Sequence, residues 1–233
     1  MFKTLCFDTW GTLVDKYTLA DVIEPYVFES HLAQKISEDW RFQQKWATFY
    51  TTAAQRMAPH PGLNEASFRW ALALHHVELP ESAIRDIMAQ DYKLRAYPDV
   101  VAALKKLKGF GLTIKIVANP TRKMIEDGSR YAGTFPYIDE IISCSEEVKA
   151  FKPSPAAIQL GIDRAGCAKE EILWVAGHFW ELYGADGLGL KTAWTNRARQ
   201  PALGIGFTPT YETRTLLELA DILAGEKQKG AHR

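Results

Sequence analysis

The chain has 233 residues, a length that fits one large domain or a core domain with an insertion. Hydrophobic residues make up 47% of it and charged residues 24%, which excludes the disordered, collagen-like and low-complexity classes. It has 28 basic and 28 acidic residues and therefore a net charge of zero, which argues against a broad surface for nucleic acid or an anionic membrane.

Hydropathy and cysteine usage indicate the compartment. The sequence has no apolar run of about 18 residues that would predict a membrane-spanning helix, and Asp8 comes before a signal-peptide core can form. Cys6, Cys144 and Cys167 are scattered and form no CxxC pair, which indicates buried thiols in a reducing compartment rather than disulfides or a zinc site. We therefore expect a cytoplasmic protein that binds neither membranes nor nucleic acid.

Short apolar runs alternate with amphipathic segments along most of the chain. The predicted strands cover residues 4–7, 113–118, 139–144, 172–176 and 191–195. The predicted helices between them cover residues 99–108, 121–132, 155–165 and 180–188, and the polar tail from residue 226 is expected to fray. This alternation predicts an α/β fold with a Rossmann-like, mainly parallel sheet, in which ligands bind at the carboxyl ends of the strands.

The segment between the first two predicted strands has a different pattern. It shows no clear strand, and aromatic and aliphatic residues recur at helical spacing over residues 30–56 and 65–77. We predict a helical cap domain of residues 17–93 inserted after the first strand, with residues 1–16 and 94–233 forming the α/β core domain. Within this insertion His60, His75 and His76 are interpreted as surface residues, and Trp46 as a core residue.

Polar residues follow the ends of the predicted strands. Asp8 begins the sequence Asp-Thr-Trp-Gly-Thr-Leu-Val-Asp, in which Gly11 permits a tight turn with N–H groups facing an anion. A carboxylate in such a loop suits a nucleophile, although an aspartate that caps a helix gives the same local pattern. Asn119 follows the second strand, Lys152-Pro153 follows the third, and Gly-His-Phe-Trp-Glu at residues 177–181 follows the fourth.

In order and spacing these groups resemble the four motifs of the haloacid dehalogenase superfamily, and the resemblance covers essentially the whole chain. The phosphatases of that superfamily carry Asp-x-Asp at the first motif and bind Mg²⁺. Here Trp10 stands two residues after Asp8, and Ala176 stands where the fourth motif usually has its first metal carboxylate, which leaves only Glu181. Because Mg²⁺ requires hard oxygen ligands, we favour the other chemistry, hydrolysis of a carbon–halogen bond without metal or cofactor.

The first motif is similar to that of the 2-haloacid dehalogenases, which implies covalent catalysis in two steps. Asp8 attacks the α-carbon of the substrate and expels halide, and water then hydrolyses the ester. The resemblance assigns Thr12 to orienting Asp8, Lys152 to keeping it ionised, and His178 to the hydrolytic water or the halide site. The further substrate-binding or halide-binding residues that it implies are Trp10, Arg41, Asn119, Phe179, Trp180 and Glu181.

Purely structural roles stay open for three of these residues: Lys152 as a surface lysine, Arg41 as an exposed helix residue and His178 as a hydrogen-bonded loop histidine. Four positions also depart from the best-known 2-haloacid dehalogenases. Alanine replaces serine at two of them, isoleucine replaces tyrosine at one and glutamate replaces aspartate at one: Ala118, Ala176, Ile158 and Glu181. Losing a donor to a charged group matters by roughly 1.5–3 kcal/mol, so these departures bear on the choice of substrate.

The predicted function is therefore that of a cofactor-independent hydrolase acting on short 2-haloalkanoic acids, and the resemblance suggests a homodimer. One alternative is a phosphatase-like member in which Asp8 and Glu181 hold Mg²⁺. Another is a catalytically silent member that binds a small carboxylate or a protein partner.

Overall fold

The computed structural model describes the backbone of residues 1–231 and the side chains of residues 1–226. Its strands are β1 (Thr4–Phe7), β2 (Thr113–Ala118), β3 (Glu140–Ser143), β4 (Ile172–Ala176), β5 (Lys191–Thr195) and β6 (Tyr211–Thr213). They form one sheet in the order β3-β2-β1-β4-β5-β6, and every neighbouring pair is parallel. The predicted α/β fold with a parallel sheet is confirmed.

Helices connect the strands and cover the sheet. Those of the insertion are α1 (Ala20–Val27), α2 (Ser30–Ala53), α3 (His60–Leu74) and α4 (Glu81–Met88). Those around the sheet are α5 (Val100–Gly109), α6 (Arg122–Tyr131), α7 (Cys144–Glu147), α8 (Pro155–Arg164), α9 (Phe179–Gly187) and α10 (Leu216–Ala231). Short 3-10 turns occur at Lys16–Leu19, Phe135–Tyr137 and Lys169–Glu171.

β1 lies at the centre of the sheet and separates two apolar cores. Because side chains alternate along a strand, Leu5 and Phe7 enter the core on one face, while Cys6 enters the core on the other. β1 pairs with β2 on one side and with β4 on the other, and the chain crosses from β3 at one edge of the sheet to β4. The order of the strands reverses at this point, which opens a crevice at their carboxyl ends.

The insertion consists of helices, and residues 17–93, which the structure describes in full, contain no β-strand. α2 packs against α1 and α3, and Trp40 of α2 is fully buried against Phe68 of α3. The prediction that Trp46 is a core residue is wrong, since its side chain is 47% exposed. It lies with Phe42 and Tyr50 on the exposed face of α2, at a spacing of one helical turn.

The remaining differences from the predicted elements are small. β3 is one residue shorter at each end than predicted, and at its C-terminal end this is because α7 begins at Cys144. The short strand β6 was not predicted. α10 continues to Ala231 instead of fraying from residue 226, and residues 232–233 lie outside the described part of the chain. The three cysteines are free thiols. Within residues 1–231, no helix combines the length and the apolar character needed to cross a membrane.

Candidate active site

Asp8 lies directly after the central strand, buried at the carboxyl end of the sheet. Its Oδ1 is 3.0 Å from Nζ of Lys152, and its Oδ2 accepts a hydrogen bond of 2.9 Å from the hydroxyl of Thr12. Burial opposes ionisation, but the charge of Lys152 and these hydrogen bonds outweigh it and lower the pKa of Asp8. Asp8 is therefore an ionised carboxylate, and it is Asp15, not Asp8, whose side chain caps the following turn.

The loop after Asp8 is held by close backbone contacts. Gly11 has a φ of +81°, and a β-carbon built there would lie 2.9 Å from the ring of His178. A β-carbon on Gly177 would lie 2.2 Å from the carbonyl oxygen of Gly11, so both positions require glycine. The N–H of Gly177 donates to the hydroxyl of Thr12 at 2.8 Å. The loop after β4 thereby fixes the hydroxyl that holds Asp8.

Lys152 is 1% exposed, which excludes the role of a surface lysine. Its Nζ binds Oε1 of Glu181 at 2.8 Å as well as Asp8, and the same Oε1 accepts from the indole of Trp174 at 2.8 Å. Burial disfavours its charge, but the two carboxylates more than compensate and raise the pKa of Lys152. Asn119 holds the Lys152 backbone, because its Oδ1 accepts from the Lys152 N–H at 2.8 Å.

Glu181 responds differently from Asp8 to the same lysine. It is fully buried, and its Oε2 has no hydrogen-bond partner within the described residues. Burial raises the pKa of Glu181 to about 7, and the pairing with Lys152 only partly offsets this effect. Beside Lys152, the pKa of Asp8, which faces the crevice, is therefore below its usual value, whereas the pKa of Glu181 is above it. Glu181 was expected to bind the substrate or the halide. In the structure it is placed instead to position Lys152.

His178 precedes α9 and lies beside Asp8, with Nε2 4.0 Å from Asp8 Oδ2. Nε2 donates to the carbonyl oxygen of Trp10 at 2.8 Å, so in the neutral ring Nδ1 carries the free lone pair. The ring stacks on Trp180, with centroids 5.4 Å apart. Burial, followed by the charge of Lys16, lowers the pKa of His178 to about 4, so the ring is neutral near pH 7.

Arg41 reaches the crevice from α2 and is buried, which excludes an ordinary exposed helix residue. Its Nη2 forms an ion pair of 2.7 Å with Oδ1 of Asp91, and its Nη1 donates to Gln44 at 2.9 Å. The guanidinium lies over the ring of Trp10, 4.8 Å from its centroid. Asn64 donates to the other oxygen of Asp91 and completes a buried polar network.

His60 contradicts its interpretation as a surface residue. It is 2% exposed, and its Nε2 lies 3.3 Å from Nε2 of Gln44, which donates to it. Burial and the charge of Arg41 lower the pKa of His60 to about 3, so this histidine is neutral too. The burial of His60 was not predicted, because nothing in the local sequence distinguishes a buried histidine at the start of a helix from an exposed one.

A cavity of about 500 Å³ lies between the insertion and the carboxyl ends of the strands. Six residues selected from the sequence line it: Asp8, Trp10, Arg41, Asn119, His178 and Trp180. The lining residues that were not selected include four with polar or charged side chains near the reacting groups: Lys16, Gln44, Lys45 and His60. Thr12, Lys152 and Glu181 form the layer beneath Asp8.

Phe179 does not line this cavity. It packs instead against Trp194 and Phe207 in the core, so the structure gives it no contact with a ligand there.

The donor set does not fit Mg²⁺. Asp8 and Glu181 are both bound to the ammonium of Lys152, and the side chains of Trp10 and Ala176 offer no oxygen. A magnesium ion needs near-octahedral oxygen ligands and is usually bound through one or two carboxylates together with waters and substrate phosphates. Among the described side chains of residues 1–226 there is also no group of three or more His, Cys, Asp or Glu arranged to hold a metal ion.

Comparison with known proteins decides the family. A family model described as haloacid dehalogenase-like hydrolase matches residues 2–185. The chain belongs to this family. Among its relatives, (S)-2-haloacid dehalogenase 4A of Burkholderia cepacia is 29% identical over 231 residues, which cover 98% of each chain. (S)-2-haloacid dehalogenase H-109 of Pseudomonas putida is 28% identical over 219 residues, covering 94% of this chain and 96% of its own.

Solved structures of similar proteins agree with this haloacid dehalogenase-like fold. The L-2-haloacid dehalogenase RSc1362 has a TM-score of 0.90 at 26% identity, and the match covers 96% of this chain and 99% of that one. A dehalogenase described as having an intermediate complex has a TM-score of 0.87 at 26% identity, covering 95% and 96% of the two chains. The departures at Ala118, Ile158 and Ala176 are all fully buried in the core of this hydrolase.

Proposed function

We propose that this protein is a cofactor-independent hydrolase that cleaves the carbon–halogen bond of short 2-haloalkanoic acids through an ester on Asp8. The observation that carries the proposal is the state of Asp8: an ionised carboxylate, held by Lys152 and Thr12, that lines a cavity next to Arg41. An ionised carboxylate that is held in a fixed orientation suits nucleophilic attack on carbon. The function of the relatives, whose names describe 2-haloacid dehalogenases, supports the same reaction class.

In the first step an oxygen of Asp8 attacks the α-carbon and forms a carbon–oxygen bond, while the carbon–halogen bond breaks and halide leaves with its electron pair. The departing halide needs positive charge and donors, and Arg41 supplies both at the wall of the cavity. Trp10 and Trp180 also line the cavity and limit the access of water to the reacting carbon.

In the second step water attacks the carboxyl carbon of the Asp8 ester. Negative charge develops on the carboxyl oxygen that is not esterified. Lys152 lies 3.0 Å from Oδ1 and the Thr12 hydroxyl donates to Oδ2, so each oxygen of Asp8 has a group that stabilises this charge. Nδ1 of His178 accepts a hydrogen bond from the water and orients it. As the ester bond breaks, one proton of the water passes to the leaving oxygen of the 2-hydroxy acid, and the other is lost to solvent when Asp8 returns to its ionised form. A pKa of about 4 makes His178 a weak base, so orientation is its main contribution.

We also propose residues 17–93 as the cap of this active site and residues 1–16 and 94–233 as its core. Arg41, Lys45 and His60 come from the insertion, whereas Asp8 and His178 come from the sheet, and together they line one cavity. A site built from both parts is complete only when the insertion covers the sheet. This arrangement lets the cap exclude water during the first step and exchange substrate and product by moving.

The test is halide release from chloroacetate and from both enantiomers of 2-chloropropionate, with and without EDTA, beside a phosphate ester with Mg²⁺. We expect halide release that EDTA leaves unchanged and that Asp8→Asn reduces to background. Asp86→Asn, on the exposed face of α4, is the matched control and should retain full activity. Turnover by Asp8→Asn, after mass spectrometry has excluded reversion to aspartate, contradicts the covalent mechanism. Phosphate release that requires Mg²⁺, without halide release, contradicts the reaction class.

A further inference from the structure

Lys16 and Lys45 line the cavity without a carboxylate partner. Both are half-buried, and no described carboxylate oxygen lies within 4.0 Å of either ammonium group. The other two cations of the site are paired, Arg41 with Asp91 and Lys152 with Asp8 and Glu181. Glu38 also lines the cavity, but it pairs with Lys35 at 3.5 Å, so neither Lys16 nor Lys45 has a carboxylate in direct contact.

Lys16 lies close to the reacting carboxylate. Its Cδ is 3.6 Å from a β-carbon built on Gly11, in the loop that holds Asp8, and its charge acts on His178. Lys45 lies on α2 one helical turn after Arg41, on the same side of the helix. Burial and the mutual repulsion of Lys16 with Lys45 and Arg41 lower the pKa of Lys16. The negative charge of an anionic ligand between these groups would offset both the burial of the Lys16 ammonium and its repulsion by Lys45 and Arg41.

The cavity is also larger than a short haloacid requires. A volume of about 500 Å³ lies within the range of roughly 300–1,000 Å³ of pockets that hold drug-sized ligands. Ala118 at the end of β2 is fully buried and does not line the cavity, so a carboxylate on the reacting carbon has to be bound by the groups of the cavity wall. Lys16, beside Asp8, meets that need and leaves Lys45 for a second anionic group.

We propose that the preferred substrate is a 2-halo dicarboxylic acid, with Lys16 binding the carboxylate on the reacting carbon and Lys45 the distal carboxylate. This inference rests on the proposed dehalogenase function and specifies its substrate class. The reaction is unchanged: Asp8 displaces halide, and hydrolysis of the ester releases a 2-hydroxy dicarboxylate. A charge-assisted hydrogen bond to a partly desolvated lysine supplies the preference over a monocarboxylate.

The experiment compares 2-chlorosuccinate with 2-chlorobutanoate, which has the same four-carbon chain without the second carboxylate. Halide release gives kcat/KM for both acids in the wild type, in Lys45→Met, which keeps the length and removes the charge, and in Lys16→Met. Lys105→Met, an exposed lysine on α5, is the matched control. We expect the wild type and the control to prefer the dicarboxylate by about tenfold or more, since a hydrogen bond to a charged group is worth that factor.

Lys45→Met should lower the preference about tenfold, and Lys16→Met should lower kcat/KM for both acids. Higher salt should also reduce the preference, because it screens the pair of charges. Equal kcat/KM for the two acids in the wild type, or an unchanged preference in Lys45→Met, overturns the distal subsite and leaves the dehalogenase function standing. The absence of halide release from chloroacetate and from both four-carbon acids overturns the proposed function and this inference with it.

Discussion

Replacing Asp91 by alanine tests whether the network behind Arg41 holds that residue in the active site. Asp91 is 1% exposed, pairs with Arg41 at 2.7 Å and accepts from Asn64 through its other oxygen. Asp91→Ala leaves a buried guanidinium without its counter-charge and the amide of Asn64 without its acceptor. Removal of one partner of a buried ion pair costs about 3–5 kcal/mol. Because Arg41 lines a cavity that water can enter, we expect the lower value, about 3 kcal/mol.

For a chain of this size, about 3 kcal/mol corresponds to a decrease in Tm of roughly 6–12 °C. Thermal and urea unfolding of Asp91→Ala, Arg41→Met and the double variant measure the coupling between the two residues. The double variant should be more stable than Asp91→Ala, because it no longer contains the unpaired charge. The exposed Asp86→Ala serves as the control. A loss of less than about 0.5 kcal/mol in Asp91→Ala, the range of ordinary surface substitutions, refutes the reasoning.

Two further predictions concern the core side of the site. In His178→Ala, the ester on Asp8 should form but hydrolyse about a hundredfold more slowly, since misplacement of a reacting group costs about that factor. Intact-mass spectrometry should detect the adduct, and its absence at every time point argues against this role. Glu181 has a folded-state pKa of about 7 against 4.5 for the free side chain, so its stabilising contribution is present below 4.5 and is lost as the pH rises through 7. The stability of the wild type relative to Glu181→Gln should therefore fall across that range, and a pH-independent difference contradicts the assignment.

The sheet was predictable because its strands are buried on both faces and thus read as continuous apolar runs. The same logic indicated where Asp8 and Asn119 would meet, since carboxyl ends of parallel strands share one edge. β6 was missed because three residues with an exposed centre carry no such run. The burial of Trp46 was predicted wrongly because α2 has aromatic residues on its exposed face as well as in its core.

The polar network around Arg41 could not be predicted residue by residue, because its partner Asp91 lies 50 positions away in the sequence. One signal for it does exist in the sequence. Along α2, polar residues recur every three or four positions next to the apolar core residues, and the structure buries all of them: Ser37, Arg41, Gln44, Thr48 and Thr51. A polar stripe beside an apolar stripe on one helix indicates a hydrated or ligand-binding cavity rather than a solvent-exposed face.

The packing beneath Asp8 also sets the cost of converting this site into one that binds a metal ion. A first step toward a metal site adds a carboxylate at position 10 or at position 176, and Ala176 is fully buried opposite Trp194 in the sheet. A new charge there, before a cation can bind, costs several kcal/mol. A carboxylate at position 176 therefore lowers the stability of the protein before any metal ion is bound.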